Sequence, residues 1–381
     1  MNLSQLDNTA STEKPIKLLV VAPGSVYSTF DTYRYYLDAF DRIEGVTASG
    51  FAFHNVIEYH RLGRVAMEEK QGIIYGSEAS DIVRAVRELL LEIILNKPDA
   101  LFFIDGTKIP PALFKNIRMI EDEMNRNVLL SCYMTEAPYI NDVLDGYQNY
   151  FDVLFFNDLE EVKRRNYDGG FFMEYLPHSF SPLVHYPYPV DEQFSPDVFF
   201  CGTLFPERAN ILAEVDWSGI NAFICGPTGL AYEEDIQIID RYGVLHQHTL
   251  PNKEVSEYYR GAKICINMNR TYGWDKSLTE LSIPKDLAYS VGPRVIEAAA
   301  CGAFIVSEPR PELQNIFGDS IPTFTNGREL ETLIRYYLER EDERMEKARQ
   351  STLAVQSMTY DARAGLVVDT LQSALSKFGG K

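Results

Sequence analysis

The feature that most constrains the fold is an alternation of short aliphatic runs and amphipathic stretches, repeated along the whole chain. The run IKLLVVA ends at Pro23-Gly24-Ser25, and the run ALFFI ends at Asp105. Each run predicts a buried strand, and apolar residues at helical spacing predict a helix after it. Because strands that alternate with helices form parallel βαβ units, the sequence predicts an α/β fold.

The same pattern continues through the rest of the chain. Further strands are predicted over 47–54, 128–134, 153–156, 197–201, 221–225, 263–268 and 303–307. Helices are predicted over 29–43, 79–96, 113–126, 207–215, 255–261, 293–301, 327–350 and 361–378, and a short helix is predicted after the strand over 153–156. Two successive sets of strands and helices result, which indicates two Rossmann-like domains.

A length of 381 residues exceeds one typical core, and a proline-rich stretch over 175–196 separates the two sets. We therefore predict a flexible N-terminus (1–15), an N-terminal Rossmann-like domain (16–180), a linker (181–196) and a C-terminal Rossmann-like domain (197–355). In open α/β sheets, ligands bind beyond the carboxyl ends of the strands. We expect the strand-end loops of the two domains to face one central cleft.

Charge and cysteine usage narrow the class of protein. The net charge of −19 argues against affinity for nucleic-acid phosphates. The polar N-terminus is unlike a signal peptide, and no apolar window approaches the roughly 18 residues of a membrane span. Five scattered cysteines without a CxxC motif are typical of free thiols in a reducing compartment. We expect a cytoplasmic protein.

Residues that directly follow predicted strands are the first candidates for a site: Gly24, Ser25, Gly202, Thr203 and Gly226. A glycine at the start of a helix allows a phosphate to approach the backbone N–H groups, although a plain tight turn explains Gly24 equally well. Arg208 stands at the start of a predicted helix. Its guanidinium can fork onto a diphosphate, or it can form an ordinary surface ion pair.

The segment over 290–312 carries the strongest pattern. Gly292-Pro293 starts a helix, where the missing N–H of proline costs nothing. Arg294 and Glu297 lie three residues apart, so they share one face near the helix start. The carboxylate of Glu297 can accept both hydroxyls of a ribose, or it can simply stabilise the helix, by roughly 0.3–1 kcal/mol.

From about 197 to 319 the chain resembles nucleotide-sugar glycosyltransferases of the two-Rossmann GT-B type, and most closely their CgeB-like branch, named for a spore-maturation protein. The matching stretches are DVFFCGTLFPERANIL, VSEYYRGAKICINMNR and GPRVIEAAACGAFIVSEPRPELQNIFG. The resemblance implies an N-terminal acceptor domain and a C-terminal domain for the nucleotide-sugar donor. It also implies that a C-terminal helix, over 356–381, packs back on the N-terminal domain.

The resemblance further implies roles for single residues. Glu297 maps onto the glutamate that contacts the nucleotide ribose, and Arg208 onto the arginine that contacts donor phosphate. Arg294 maps onto the arginine at the helix start, and Asn269 onto the asparagine that ends the strand before the donor loop. The loop around His248 is expected near the nucleobase, through backbone contacts.

Three residues are candidates for catalysis or acceptor binding. Glu136, after a predicted strand, can orient or deprotonate an acceptor hydroxyl, or it can serve as a helix cap or loop acceptor. His178, near the predicted linker, can reach the reacting sugar, although a lone histidine is more often a structural hydrogen bonder. Asp105 is a weaker candidate for contact with the acceptor.

Two departures from related enzymes limit what the resemblance transfers. Many relatives carry two glutamates spaced E-x7-E, but Tyr289 stands eight residues before Glu297, so recognition of the donor sugar does not carry over. No DxD motif is present, and the HQH sequence over 246–248 has no acidic or cysteine partner nearby. We expect neither a metal nor a cofactor beyond the nucleotide-sugar co-substrate.

The sequence thus predicts a glycosyltransferase that uses a nucleotide sugar, with UDP as the favoured nucleotide, and works by a retaining, metal-independent mechanism. Its acceptor is open between a glycan, a protein and a small molecule. Two alternatives remain: an enzyme that glycosylates modified bases of phage DNA, and a non-catalytic two-lobed ligand-binding protein.

Overall fold

The computed structural model describes residues 15–25, 29–71, 76–124, 126–139, 145–166, 172–270 and 288–378. The predicted flexible N-terminus over 1–15 lies, except for residue 15, outside the described residues.

The described strands form two sheets of parallel strands. Eleven strands are numbered in chain order: β1 (Ile16–Ala22), β2 (Val46–Ala52), β3 (Ala100–Ile104), β4 (Leu129–Met134), β5 (Val153–Phe156), β6 (Phe172–Tyr175), β7 (Val198–Cys201), β8 (Ala222–Cys225), β9 (Leu245–His246), β10 (Ile264–Asn267) and β11 (Ile305–Ser307). The six-stranded sheet has the order β2-β1-β3-β4-β5-β6, and the five-stranded sheet the order β11-β10-β7-β8-β9. The predicted α/β fold is confirmed.

Helices follow most of the strands. In chain order they are α1 (Phe30–Phe40), α2 (Phe53–Gln71), α3 (Glu78–Asn96), α4 (Pro111–Met124), α5 (Leu159–Asn166), α6 (Pro206–Ala213), α7 (Glu233–Asp240), α8 (Asn252–Gly261), α9 (Pro293–Ala300), α10 (Pro311–Phe317), α11 (Gly327–Leu338), α12 (Glu341–Val355) and α13 (Tyr360–Phe378). No helix in the described ranges is long and apolar enough to cross a membrane.

One predicted helix is wrong in its extent. The predicted helix over 327–350 consists of the two helices α11 and α12. The chain leaves the helical conformation at Arg340, whose φ of −127° and ψ of 71° are not helical. The sequence pattern concealed this break because it lies between two polar amphipathic stretches without a glycine or proline. The elements β6, β9, α2, α7 and α10 were not predicted either.

By its internal contacts the chain divides into two compact units. The first contains residues 1–131 and 367–381, and the second contains residues 132–366. The end of α13 therefore belongs to the same compact unit as β1.

The five-stranded sheet of the second unit has a core on each face. Val198 and Phe200 pack into one buried cluster, which also contains Trp217. The residue between them, Phe199, packs into the other cluster, together with Tyr258. Successive side chains of a strand point to opposite faces of the sheet. Neighbouring residues of β7 therefore pack into different clusters, and both faces of the sheet are buried.

At the carboxyl ends of β7 and β8 two glycines bring the backbone together. The N–H of Gly202 donates to the carbonyl oxygen of Cys225 at 2.8 Å. Gly226 has a φ of +145°, and a Cβ atom there would overlap the carbonyl carbon and oxygen of Gly202. Only glycine allows this approach, because it has no side chain and tolerates the conformation.

We predict that Gly226→Ala lowers the free energy of unfolding by about 3 kcal/mol, since overpacking and backbone strain add. The matched control is Gly243→Ala. Gly243 also has a positive φ, of +68°, but no heavy atom lies within 4 Å of the position of an added Cβ. The control should lose only about 1–2 kcal/mol. Urea unfolding measures both; equal losses would contradict the close contact.

Candidate functional site

The candidate site lies in the second compact unit, where the strands of the five-stranded sheet end. Gly202 and Gly226 follow β7 and β8. These positions are the strand-end loops at which ligands bind in open α/β sheets. The side chains around them determine the chemistry of the site.

Arg208 is buried in the first turn of α6 and is 4% exposed. Its Nη1 donates to the carbonyl oxygen of Thr203 at 2.9 Å, and its Nε donates to that of Asn269 at 3.3 Å. Burial and, next, the charge of Arg294 lower the pKa of Arg208 to about 9. The guanidinium therefore stays charged at neutral pH, with backbone oxygens as its acceptors.

Arg294 lies in the first turn of α9, after Gly292 and Pro293. Its guanidinium covers Gly202, because a Cβ atom on this glycine would lie 2.7 Å from Nη2 of Arg294. Among the residues that the structure describes, neither Arg294 nor Arg208 forms an ion pair with a carboxylate. Two adjacent cations beside a glycine loop make a site that favours an anion with two charged groups.

Glu297 is buried in α9 and faces a histidine that the sequence did not single out. His185 lies in the predicted linker, and its Nδ1 accepts from the N–H of Ser181 at 3.2 Å. In the neutral ring the proton is therefore on Nε2, which lies 3.9 Å from Oε1 of Glu297. At this distance the imidazole lies beside the carboxylate but does not form a hydrogen bond with it.

Asn269 follows β10 and is held by its backbone and its side chain. Its N–H donates to Oε2 of Glu308 at 2.7 Å, and its Nδ2 donates to the carbonyl oxygen of Glu308 at 3.3 Å. Its own carbonyl oxygen accepts from Arg208. Asn269 thus connects two strand-end loops and fixes the position of the buried arginine.

Aromatic rings form one edge of the site, beyond Gly226. His246 stacks on Phe223 with ring centroids 4.0 Å apart, and Phe223 stacks on Tyr258 at 4.6 Å. Burial, and next the charge of His248, lowers the pKa of His246. His248 is exposed, and its N–H donates to the carbonyl oxygen of His246 at 2.9 Å.

Glu136, the predicted base, lies in an ion pair. Nη1 of Arg270 donates to Oε2 of Glu136 at 2.5 Å. The Arg270 guanidinium also lies over the rings of Tyr139 and Phe205, 5.2 Å and 5.1 Å from their centroids. One oxygen of the predicted base is therefore bound to a cation.

His178, the second catalytic candidate, is surrounded by polar side chains. Its Nε2 lies 3.2 Å from Nδ2 of Asn157, and its Nδ1 lies 3.5 Å from the hydroxyl of Tyr133. Burial lowers the pKa of His178 to about 4. The imidazole is neutral at pH 7, so it is a weak base there and a donor through one nitrogen.

Two buried carboxylates hold the loop that precedes α9. Oδ2 of Asp158 accepts from the N–H of Tyr289 at 2.9 Å and from that of Ser290 at 3.0 Å. Oε2 of Glu312 accepts from the N–H of Val291 at 2.8 Å. Burial raises the pKa of both carboxylates, although these hydrogen bonds oppose the change. Sequence reasoning missed both acids, and their only signal was the position of Asp158 just after a predicted strand.

The remaining predicted site residues lie in the first compact unit. Gly24 has a φ of +139°, and Oδ1 of Asn55 accepts from both the N–H and the hydroxyl of Ser25, each at 2.9 Å. Asp105 is 3% exposed, and its Oδ1 accepts from the hydroxyl of Thr107 at 2.6 Å. Roles of Gly24, Ser25 and Asp105 in phosphate or acceptor binding stay predictions.

Comparison with known proteins gives one family match. Residues 208–369 match the family model described as glycosyl transferase-like. The match begins at the buried Arg208 and includes Asn269, Arg294 and Glu297. No curated protein matches the sequence.

Solved structures share the fold at low sequence identity. Sucrose-phosphate synthase of Thermosynechococcus elongatus is 10% identical, with a TM-score of 0.62 over 95% of this chain and 100% of that one. Anabaena HepE, solved in complex with UDP-glucose, is 13% identical, with a TM-score of 0.60 over 94% and 100%. A Listeria monocytogenes protein, provisionally assigned as a UDP-N-acetylglucosamine 2-epimerase, is 12% identical, with a TM-score of 0.58 over 96% and 98%.

The two parallel sheets and these likenesses define a GT-B fold. Within this fold, residues 208–369, less than half of the chain, match the glycosyl transferase-like family model.

The low pKa of His178 predicts a pH dependence of stability. As the pH falls from about 6.5 towards 4, the unfolded chain binds a proton that the folded chain does not bind. This group alone should lower the free energy of unfolding by about 2 kcal/mol between pH 7 and pH 5. His178→Gln should lose that much less stability over this interval in urea titrations. An NMR midpoint of the His178 ring near 6.5 would contradict the assignment.

Proposed function

We propose that the protein is a glycosyltransferase that takes its sugar from a nucleotide-diphosphate sugar bound at the ends of β7, β8 and β10. The observation that carries the proposal is the cation pair of Arg208 and Arg294 beside Gly202. Arg294 covers Gly202, which has no side chain, and Arg208 is held by the carbonyl oxygens of Thr203 and Asn269. A diphosphate supplies the two adjacent negative charges that such a pair favours.

The same pair suits the chemistry of sugar transfer. When the bond between the sugar and the diphosphate breaks, negative charge grows on the leaving phosphate. Cations that are already in place stabilise this charge without reorganisation. Glu297, whose carboxylate lies 3.9 Å from Nε2 of His185, would accept hydrogen bonds from the two ribose hydroxyls.

UDP is the nucleotide that we favour. Its support is the fold shared with HepE, which was solved with UDP-glucose. The stacked rings of Phe223 and His246 offer an apolar edge for a flat base, beside the backbone around His248.

A retaining, metal-independent mechanism without a cofactor fits these residues best. The two arginines supply positive charge of the kind that a divalent cation supplies in other transferases. One oxygen of Glu136 is already bound to Arg270, and the lowered pKa of His178 makes its imidazole a weak base at pH 7. We propose that the leaving phosphate steers the acceptor proton and that Glu136 and His178 position the acceptor.

Two further proposals concern the class and location of the enzyme. The stretch DVFFCGTLFPERANIL supports the CgeB-like branch of the GT-B enzymes. All five cysteines are free, which supports a reducing compartment such as the cytoplasm.

The two parts of the donor site predict separable effects on binding. Arg294→Ala should weaken the binding of both UDP and inorganic pyrophosphate by about 10- to 100-fold, the effect of losing a charge-assisted hydrogen bond. Glu297→Ala should weaken UDP by about tenfold and leave pyrophosphate unchanged, because only UDP carries the ribose. Isothermal titration calorimetry measures all four affinities.

The matched control is Arg335→Ala, an exposed arginine whose Nε donates to Glu331 at 2.8 Å. It should bind both ligands like the unchanged protein. Equal losses of UDP and pyrophosphate affinity in Glu297→Ala would overturn the ribose assignment. Incubation with UDP-sugars and product analysis then separates transfer from epimerisation, the activity assigned to the Listeria protein.

A further inference from the structure

Two of the five cysteines lie side by side at the donor site. Cys201 ends β7 and Cys225 ends β8, and the two residues are in-register partners on neighbouring parallel strands. Each is followed by one of the two glycines that meet beyond the strands, Gly202 and Gly226. The cysteine pair therefore adjoins the loops to which we assign donor binding.

The two thiols are on the same face of the sheet. Phe199 and Phe223, each two residues before a cysteine, contact each other with ring centroids 6.2 Å apart. Side chains two apart in a strand share a face, so Cys201 and Cys225 face this side as well. Neighbouring strands are about 4.8 Å apart, within the roughly 4.4–6.8 Å between the Cα atoms of disulfide-bonded cysteines.

The two cysteines have unequal environments. Cys201 is half-buried, whereas Cys225 is fully buried. Hydrogen bonding to the Cys225 thiol, helped by the charge of Arg294 and opposed by burial, lowers the pKa of Cys201. The same contact, together with burial, raises the pKa of Cys225. A partly exposed thiol whose pKa is lowered, beside a second thiol, is the usual arrangement for oxidation.

The other three cysteines differ from this pair. Cys132 is buried, and its thiol contacts the sulfur of Met134 at 3.7 Å. Burial raises the pKa of Cys265 and raises that of Cys301 to about 12. All three serve as unreactive internal references.

We propose that Cys201 and Cys225 form a peroxide-oxidisable dithiol that controls access of the donor. In the first step the Cys201 thiolate attacks one oxygen of a hydroperoxide, the O–O bond breaks, and the leaving oxygen takes a proton. With hydrogen peroxide the products are a sulfenic acid on Cys201 and water. In the second step the Cys225 sulfur attacks the Cys201 sulfur and expels a second water, leaving a disulfide. One peroxide is reduced for two thiols oxidised.

Oxidation changes the surroundings of Arg294. Its guanidinium covers Gly202, the residue next to Cys201. A sulfenate there can pair with the guanidinium, and a disulfide fixes the two strand ends on which the glycine loops rest. The consequence for the donor rests on the proposed function, whereas the thiol chemistry does not. We expect oxidation to weaken the binding of UDP by about tenfold, and a thiol reductant to restore it.

The test treats the full-length protein with hydrogen peroxide and follows intact mass and tryptic peptides. The unchanged protein should lose two hydrogen atoms in mass and yield one cross-linked peptide pair, Cys201 with Cys225. Cys225→Ser should instead accumulate a sulfenic acid on Cys201 that dimedone traps. Cys201→Ser should show neither product, and the peptides of the three reference cysteines should stay unchanged.

Oxygen added at Cys201 without a cross-link, or oxidation at the reference cysteines at the same rate, would overturn the dithiol. A cross-link that leaves the UDP affinity unchanged would overturn its control of the donor. If UDP fails to bind even the reduced protein while the cross-link forms, the proposed function is wrong and the dithiol stands. If UDP binds and no cross-link forms, only the dithiol is wrong.

Discussion

The contact between Gly226 and the backbone of Gly202 is the constraint on which the candidate site depends. It draws together the ends of β7 and β8, and it requires that Gly226 has no side chain. A side chain on Gly202 would instead collide with the Arg294 guanidinium. Because Gly202 has no side chain, the Arg294 guanidinium can lie directly over its backbone. Gly202, at the end of a strand, therefore does not only allow the chain to turn, because its missing side chain also makes room for a cation.

Burial of charge in this region has a cost that the rest of the fold offsets. Arg208 loses hydration, which is why burial is the largest cause of its lowered pKa. Two backbone oxygens accept from it, and Asn269, which supplies one of them, is anchored by Glu308. Hydrogen bonds of this kind return part of the lost hydration energy. A fold optimised for stability alone would not place a second arginine beside the first, and such local conflicts are expected at functional sites.

The sequence predicted most strands and the residues after them, because aliphatic runs and the breaks that end them are local signals. Arg294 and Glu297 were singled out by their spacing at a predicted helix start and through the resemblance. His185 and Glu312 were not, because their roles depend on contacts with residues distant in sequence. The proline-rich stretch predicted as a linker contains the buried His185. The sequence did not show this burial, because apolar periodicity reports on helices and strands and not on packed connections.

The loop before α9 is held through the backbone N–H groups of residues 289–291. Where many relatives have a glutamate, the hydroxyl of Tyr289 accepts from Asn315 at 2.9 Å, while its N–H is bound by Asp158. Burial raises the pKa of Asp158 despite four backbone hydrogen bonds, so its desolvation outweighs what they return. Glu312 accepts from the N–H of the next residue, Val291, and burial raises its pKa although its hydrogen bonds act to lower it. A loop fixed at such cost is positioned by its backbone, and that position sets the direction in which α9 presents Arg294 and Glu297.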